Sequence, residues 1–303
     1  VKPAAERALK QRHPWLFEGA IRKQSHDGNA GDLAVIFDEK RRFLAIGLYD
    51  PSSPIRVKVL QHHEQTTINA EFFLDRIRTT TTLRAPLLTQ NTTGYRLIHG
   101  ENDGLPGLIV DRYANTLVMK LYSQAWIPHL RAVIPALIAT QQPEAIVLRL
   151  SRDLQQGDSS GLVDGQVIMG KLDDDTITFY ENGLRFRANV LHGHKTGFFC
   201  DQRENRQRVR TLSAGRRVLD VFAYVGAFSL YAAAGGATSV TSLDISAPAL
   251  ALAQDHFRLN DDQPTIAQAQ HKIIVDDAFD ALRQLHEQEQ TFDMLIIDPP
   301  SFP

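Results

Sequence analysis

Cysteine is almost missing: Cys200 stands alone among 303 residues. A disulfide framework within the chain is thereby excluded, which fits a reducing cytoplasm. The sequence also lacks any run of about 18 apolar residues, the length a helix needs to cross a bilayer, so no membrane role is expected. The opening VKPAAERALKQRHPWLF carries charges throughout and no apolar stretch, unlike a secretory leader. Metal-ligand spacing is absent as well. His192-x-His194 has no further His or Cys following it at ligand distance, so no metal is expected and these read as loop histidines near a phosphate backbone. His62-His63 reads as part of a linker.

What is present is ordinary in bulk and uneven in detail. Hydrophobic residues make up 43% and charged residues 22%, enough for each domain to bury its own core. The net charge of −2 argues weakly against nucleic acid, but the distribution argues otherwise. Residues 185–217 carry nine Lys/Arg against two acids, residues 1–65 eleven against eight, and residues 255–303 three against ten. Such segregation is either an electrostatic footprint for a polyanion or a solvated helix face.

Hydrophobic periodicity divides the chain into three parts. Residues 1–66 read as a small β-barrel, with a short helix near 3–11 and strands in DLAVIFDEK, RRFLAIGLYD and IRVKVLQ. Residues 67–176 read as a central α+β domain. Its parts are a helix in INAEFFLDRIRTTTTLRAPLL, strands across 95–123, a helix over 126–141, a strand in EAIVLRLS, and an irregular polar segment over 153–175. Residues 177–303 open with a hairpin turning at Asn182-Gly183, a strong two-residue turn signal. Strand and helix then alternate: RRVLDVF, AFSLYAAAG, TSVTSLD, APALALAQDHFRLN, HKIIVDD, AFDALRQLHEQEQ and FDMLIID. Repeated β-α units with apolar strands predict a parallel sheet covered on both faces, an α/β class with a Rossmann-like third domain.

In such a sheet, ligands bind beyond the carboxyl ends of the strands. Those ends carry Asp220, Asp244, Asp276-Asp277 and Asp298. A dinucleotide would need a G-x-G-x-x-G loop after the first strand, so that backbone amides approach its pyrophosphate. The loop here has one glycine, Gly226. S-adenosylmethionine has no phosphate and carries two positive groups, so a rim of carboxylates suits it. Asp244, 24 residues after Asp220, is placed to accept ribose hydroxyls, and Asp277 to accept from the adenine amino group. Any one strand-end Asp is commonly only a helix cap. Four in register are harder to explain that way. After the fourth strand, Asp298-Pro299-Pro300-Ser301-Phe302 stiffens the exit and offers Phe302 to stack on an extruded base; taken alone it would read as a rigid loop.

These pieces together resemble a known family. RHPWLFEGAI (12–21), YRLIHGENDGLPGLIVDRY (95–113), HGHKTGFFCDQRENR (192–206), VLDVFAYVGAFSLYAAAGGA (218–237), SLDIS (242–246), VDDAFDAL (275–282) and FDMLIIDPPSF (292–302) are similar to segments of bacterial 23S ribosomal RNA cytosine-5 methyltransferases of the RlmI type. The resemblance implies a PUA-like RNA-binding barrel, a central α/β domain and a class I methyltransferase domain. It also implies site residues. Lys195, Thr196, Gly197, Phe199, Asp201 and Arg203 would cover the methionine end of the cofactor. Asp220, Phe222, Tyr224 and Gly226 would lie under the donor. Asp244 would hold ribose with Ile245 against adenine, Asp277 and Ala278 would read the adenine edge, and Asp298, Pro299 and Phe302 would border the transferred methyl.

The partner implied is ribosomal RNA, with Arg12, Trp15, Arg206 and Arg210 as candidate contacts; a homodimer stays open. Trp15 can instead anchor the small barrel. Arg206 and Arg210 share a helix face that Arg208 leaves. The family's cysteine nucleophile falls beyond residue 303, and a methyltransferase sheet has seven strands where four are read here. The chain is therefore expected to be a piece of a longer protein, with Cys200 a packed side chain. Methylation of a base nitrogen (guanine N7) and a non-catalytic RNA-binding protein with a relic cofactor site are the alternatives.

Overall fold

A computed structural model describes residues 1–157 and 161–299, arranged as two units. The first comprises Val1–Ile177 and Ala188–Phe198; the second comprises Thr178–Arg187 and the chain from Phe199 onward.

In the first unit, α1 (Pro3–Lys10) precedes a four-stranded antiparallel sheet of β1 (Trp15–Phe17), β2 (Leu33–Phe37), β3 (Phe43–Tyr49) and β4 (Ile55–His62). The order β1-β4-β3-β2 leaves β1 and β2 as edges, an open sheet where the sequence led us to expect a barrel. Helix α2 (Ala70–Thr89) follows, capped by Asn69, whose side chain accepts from the Phe72 amide at 3.0 Å. Its Thr79–Thr82 run is poor helix material. Each of the four hydroxyls turns back onto a carbonyl of the preceding turn, which hides the polar groups while Phe73 and Ile77 pack inward.

A second sheet has the order β5-β6-β7-β8-β9. It is built from β5 (Gly94–His99), β6 (Leu108–Tyr113), β7 (Thr116–Leu121), β8 (Ala145–Leu150) and β9 (Gln166–Met169). The crossover from β7 to its parallel neighbour β8 runs through α3 (Leu130–Gln141). Leu48 and Leu60 of the first sheet share one buried cluster with Phe73, Ile77 and Trp126, so one core serves both sheets.

The polar segment expected to be irregular contains two elements. Helix α4 (Arg152–Gln156) is capped by Ser151, and β9 extends the sheet beside β8. The apolar core of β9 is only Val167-Ile168-Met169 between two glycines, too short for its period to stand out.

The second unit begins with the hairpin β10 (Thr176–Glu181) and β11 (Leu184–Asn189), whose body it contains. Asn182 and Gly183 both take positive φ, 48° and 80°, the conformation a two-residue turn requires to match strand twist. After α5 (Arg203–Leu212) the chain lays down β12 (Arg217–Val221), α6 (Ala227–Ala234), β13 (Ser239–Asp244), α7 (Ala247–Leu259), α8 (Pro264–Gln268), β14 (Gln270–Val275), α9 (Ala278–Glu287) and β15 (Met294–Ile297). The strands are all parallel in the order β14-β13-β12-β15, with the reversal beside β12.

Helix α7 ties the hairpin down by imitating a strand: Asn260 exchanges two 2.8 Å bonds with the Arg185 backbone, and His256 Nε2 accepts from the Arg187 amide at 2.9 Å. Phe186 stacks between Phe179 and Tyr231.

Arg206 corrects the sequence reading. It does share a helix side with Arg210, but at Arg206 that side turns inward, while Arg210 is only half-buried. Arg206 is 1% exposed, and its guanidinium makes a bidentate pair with Glu181 at 2.8 and 2.7 Å while also donating to the Phe199 carbonyl at 3.0 Å. Tyr231 donates to the same carboxylate at 3.0 Å. A side chain so buried cannot present its guanidinium to a phosphate; Arg208 is the exposed one of the three.

Removing one partner of such a buried pair strands the other. We therefore expect Arg206→Ala to cost about 3–5 kcal/mol in urea unfolding of the full chain, and the double substitution Arg206→Met with Glu181→Leu to cost clearly less. Equal losses for single and double variants would show that the pair is not the stabilising unit.

Candidate functional site

The register of the second unit brings the strand-end residues to one rim. Asp220 is in β12, one residue before its end; Asp244 ends β13, Asp276 and Asp277 follow β14, and Asp298 follows β15. Between β12 and α6 the loop takes positive φ at Phe222 (65°), Tyr224 (51°) and Gly226 (65°). For the two aromatic residues this conformation costs of order 1–3 kcal/mol each, so something must hold it. The Tyr224 amide donates to Asp244 Oδ2 at 2.7 Å, and the Ala223 amide donates to the Leu243 carbonyl at 3.0 Å. Gly226 is needed twice over: besides its φ, a Cβ there would come within 2.6 Å of the Ala253 Cβ. The Tyr224 ring meets Phe199 edge-on at 5.6 Å.

The carboxylates differ in setting. Asp220 is 1% exposed. Its Oδ2 accepts from the Ser229 amide at 3.0 Å and the Ser229 hydroxyl at 2.6 Å. Burial pushes its pKa up to about 7; the Ser229 bonds oppose this, and the negative charges of Asp298 and Asp244 add to it. Asp244 is half-buried and accepts from the Ser246 amide at 2.9 Å as well as from Tyr224. Asp277 is exposed and caps α9 through the Phe279 and Asp280 amides, so the bland role weighed for it is real; its Oδ1 does this. Asp298 is exposed and accepts from Gln202 Nε2 at 3.4 Å.

The remaining expected residues fall as follows. Ile245 is 73% exposed and Ala278 is buried. Pro299 is the last described residue, and Phe302 lies outside the described residues. The HKTGFF segment divides between the units after Phe198. In the first unit, Thr196 is buried with its hydroxyl donating to Asp111 and lying 3.1 Å from the Tyr113 hydroxyl, while Lys195 and Gly197 take positive φ. In the second, Arg203 pairs with the neighbouring Glu204 and Asp201 is exposed. Cys200 is buried, as expected. Arg12 is exposed. Trp15 is half-buried and does not join the core of its sheet, which gathers around Leu16; its indole donates to Glu101 at 3.0 Å.

Among the described residues no group of three or more His, Cys, Asp or Glu could hold a metal, and no helix is long and apolar enough to cross a membrane. Sequence reasoning passed over Ser229 and Phe279. Phe279 is 66% exposed directly after Asp277-Ala278. The signal for Ser229 was a lone hydroxyl in the apolar run AFSLYAAA, nine residues after Asp220.

A proton held on Asp220 in the native state ties stability to pH. The native carboxyl titrates near 7, whereas an exposed aspartate titrates near 3.8, so between those values the unfolded chain binds fewer protons and stability falls as pH rises. Asp220→Asn removes this drift. Its thermal stability should gain on wild type progressively across that window, by at most about 1.4 kcal/mol per pH unit, and hold the gain above it. Parallel stability–pH curves for the two proteins would refute it.

Comparison with known proteins bears on this geometry. A family model described as S-adenosylmethionine-dependent methyltransferase matches residues 132–303, and one described as a PUA-like domain matches residues 1–62. A ribosomal RNA large subunit methyltransferase of Deinococcus radiodurans is 49% identical over 307 residues, covering 99% of this chain and 74% of its own length. Ribosomal RNA large subunit methyltransferase I of Serratia proteamaculans is 38% identical over 299 residues, covering 98% of this chain and 74% of its own. The chain thus spans about three quarters of these relatives. Of the solved structures, one described as a SAM-dependent methyltransferase from Streptococcus mutans superposes with a TM-score of 0.83 at 24% identity, over 99% of this chain and 76% of that one. Another, described as a methyltransferase complexed with SAH, gives 0.85 at 24% identity, over 100% and 76%. At that identity it is the fold that is shared.

Proposed function

The chain belongs to the S-adenosylmethionine-dependent methyltransferase family, with a PUA-like domain at its start, and we propose that it methylates a base of large-subunit ribosomal RNA at cytosine C5. The observation that carries this reading is the carboxylate rim beside a loop with a single glycine, joined to relatives named for ribosomal RNA methylation. The residues fit the cofactor's chemistry. A sulfonium and an ammonium are matched by Asp220 and its acidic neighbours, and nothing in the loop is built to cradle a pyrophosphate.

In this reading Asp244 would accept from the ribose hydroxyls in addition to the two amides its oxygens already hold. Ile245 offers an exposed apolar surface to adenine. Asp277 uses its oxygen not engaged in capping to accept from the adenine amino group, with Ala278 beside it. Asp298 and Pro299 would border the methyl donor, and Phe302 is assigned to the acceptor base. When bound, the cofactor supplies an electrophilic methyl group; the protein's part is to hold donor and acceptor in line and to keep water out.

Cytosine C5 becomes nucleophilic only after a thiolate has added at C6. Cys200 is not that thiol in this reading, because it is a buried side chain at the start of the turn leading into α5. This reading assigns the thiolate to no residue of the sequence given. The division 1–66, 67–176 and 177–303 belongs to the same reading. RNA contacts are assigned to Arg12 and Trp15 in the first unit and to Arg208 and Arg210 in the second, Arg208 replacing the buried Arg206.

Two measurements test this. Asp244→Ala should weaken S-adenosylmethionine binding by about 2–4 kcal/mol in calorimetric titration, since it removes charge-assisted bonds to ribose and one anchor of the Phe222–Gly226 loop. Unchanged affinity would remove Asp244 from the site, and tighter binding of NAD than of S-adenosylmethionine would sink the methyltransferase reading. For RNA, filter binding against salt should show a slope that falls by about 0.7–0.9 for each phosphate that a variant no longer neutralises. We expect Arg208→Ala with Arg210→Ala to lower it; a slope equal to that of wild type would make them a solvated helix face.

A further inference from the structure

The face of the second unit's sheet covered by α6 and α7 carries a line of hydrogen bonds that methyl transfer does not call for. Asp220 and Ser242 stand directly opposite in the β12–β13 register, and Ser242 in turn is opposite Ile273, two residues from His271 on the same face of β14. Ser229, in the first turn of α6, donates to Asp220 Oδ2 from both its amide (3.0 Å) and its hydroxyl (2.6 Å). Ser229 Oγ and Ser242 Oγ are 2.7 Å apart, and Ser242 Oγ and His271 Nε2 are 2.9 Å apart.

A hydroxyl has one proton to donate, which sets the direction of the whole line. When Asp220 is ionised, Ser229 gives its proton to it, so Ser242 donates to Ser229 and His271 donates from Nε2 to Ser242. The end of the line is fixed: the His271 ring lies flat on Phe257, centroids 3.7 Å apart and planes 4° apart. Burial lowers the His271 pKa to about 4, so at neutral pH the ring is uncharged. Two donors converge on Oδ2, and among the described residues no hydrogen bond reaches Asp220 Oδ1. The charged groups that act on Asp220 from the neighbouring strands are Asp244 and Asp298, both negative; α6 contributes Ser229, and β14 contributes His271 through the line.

We propose that Ser242 and His271 are positioning residues that set the charge of Asp220 and, through it, the affinity of the second unit for a cationic cofactor. The identity of that cofactor rests on the methyltransferase reading. Bonds in a directed line polarise one another, so each donor behind Ser229 strengthens the bond that holds the carboxylate. When the cation binds, Asp220 releases its proton to solvent and the carboxylate stays on the two Ser229 donors. Breaking the line weakens the Ser229 hydroxyl as a donor, and Asp220 then keeps its proton to higher pH.

The test is calorimetric titration of S-adenosylmethionine into the full chain from about pH 6 to about pH 9, with the Asp220 carboxyl carbon followed by NMR in the unliganded protein. In wild type, affinity should climb with pH through the Asp220 titration and then level off. Ser242→Ala and His271→Phe should move both midpoints upward, weakening binding at neutral pH by roughly three- to tenfold and leaving the high-pH plateau in place. The Phe variant keeps the stacking on Phe257, which guards against loss of fold. Ser242→Thr and His271→Gln retain a hydroxyl and an N–H donor and should return both midpoints toward wild type. Identical carboxyl midpoints in all these proteins overturn the proposal, whether or not the cofactor binds. Midpoints that move as expected in a protein that binds no S-adenosylmethionine would uphold the setting of Asp220's charge and remove the methyltransferase reading instead.

Discussion

Four parallel strands that end or nearly end in carboxylates must hold like charges together, and the second unit is organised around that constraint. Repulsion and burial act in the same direction on Asp220, the innermost of the group, and lift its pKa to about 7. The outer acids are held in different ways. Asp244 spreads its charge over two loop amides, Asp277 over the first turn of α9, and Asp298 stays in solvent. A site built like this has a standing deficit of positive charge. A ligand with an ammonium and a sulfonium fills the deficit, and a pyrophosphate would deepen it.

The strained loop and the carboxylates are one structure. The left-handed backbone at Phe222 and Tyr224 is held by the Ala223 and Tyr224 amides, which reach β13, and one of the two acceptors is Asp244 itself. The residue assigned to the ribose is thus also a clamp on the loop beneath the donor. Local strain of this kind persists where the surroundings over-determine it, and here a buried helix–strand layer does so from below.

The polar interior of the second unit follows a similar logic on a larger scale. Arg206 and Glu181 are both removed from water, and the pair is tolerable because charge meets charge in good geometry with further partners: two bonds between the two side chains, one to the Phe199 carbonyl, one from Tyr231. This links α5, the hairpin and α6. Asn260 and His256 link the hairpin to α7 by the same means, side chains standing in for a strand neighbour.

Periodicity in the sequence was enough to locate nearly every strand and helix of the second unit. The Asn182-Gly183 turn and the strand-end acids were also legible, because these depend on local backbone chemistry and on the rule that parallel sheets present their carboxyl ends as one rim. Elements with a weak period were not legible: β9 has three apolar residues, and β1 only Trp15-Leu16-Phe17.

Partnership was not legible either. Spacing shows that Arg206 and Arg210 share a face, but a helical period cannot say which face is inside when both are polar. Only the arrival of Glu181, 25 residues earlier in the chain, made the Arg206 face the buried one. The same holds for Ser229, Ser242 and His271, three unremarked polar residues on three elements. Sequence determines which face of a strand or helix each occupies; the register of β12, β13 and β14 decides that they stand within hydrogen-bond reach of Asp220, because contacts between distant segments depend on how whole elements pair and not on any local pattern.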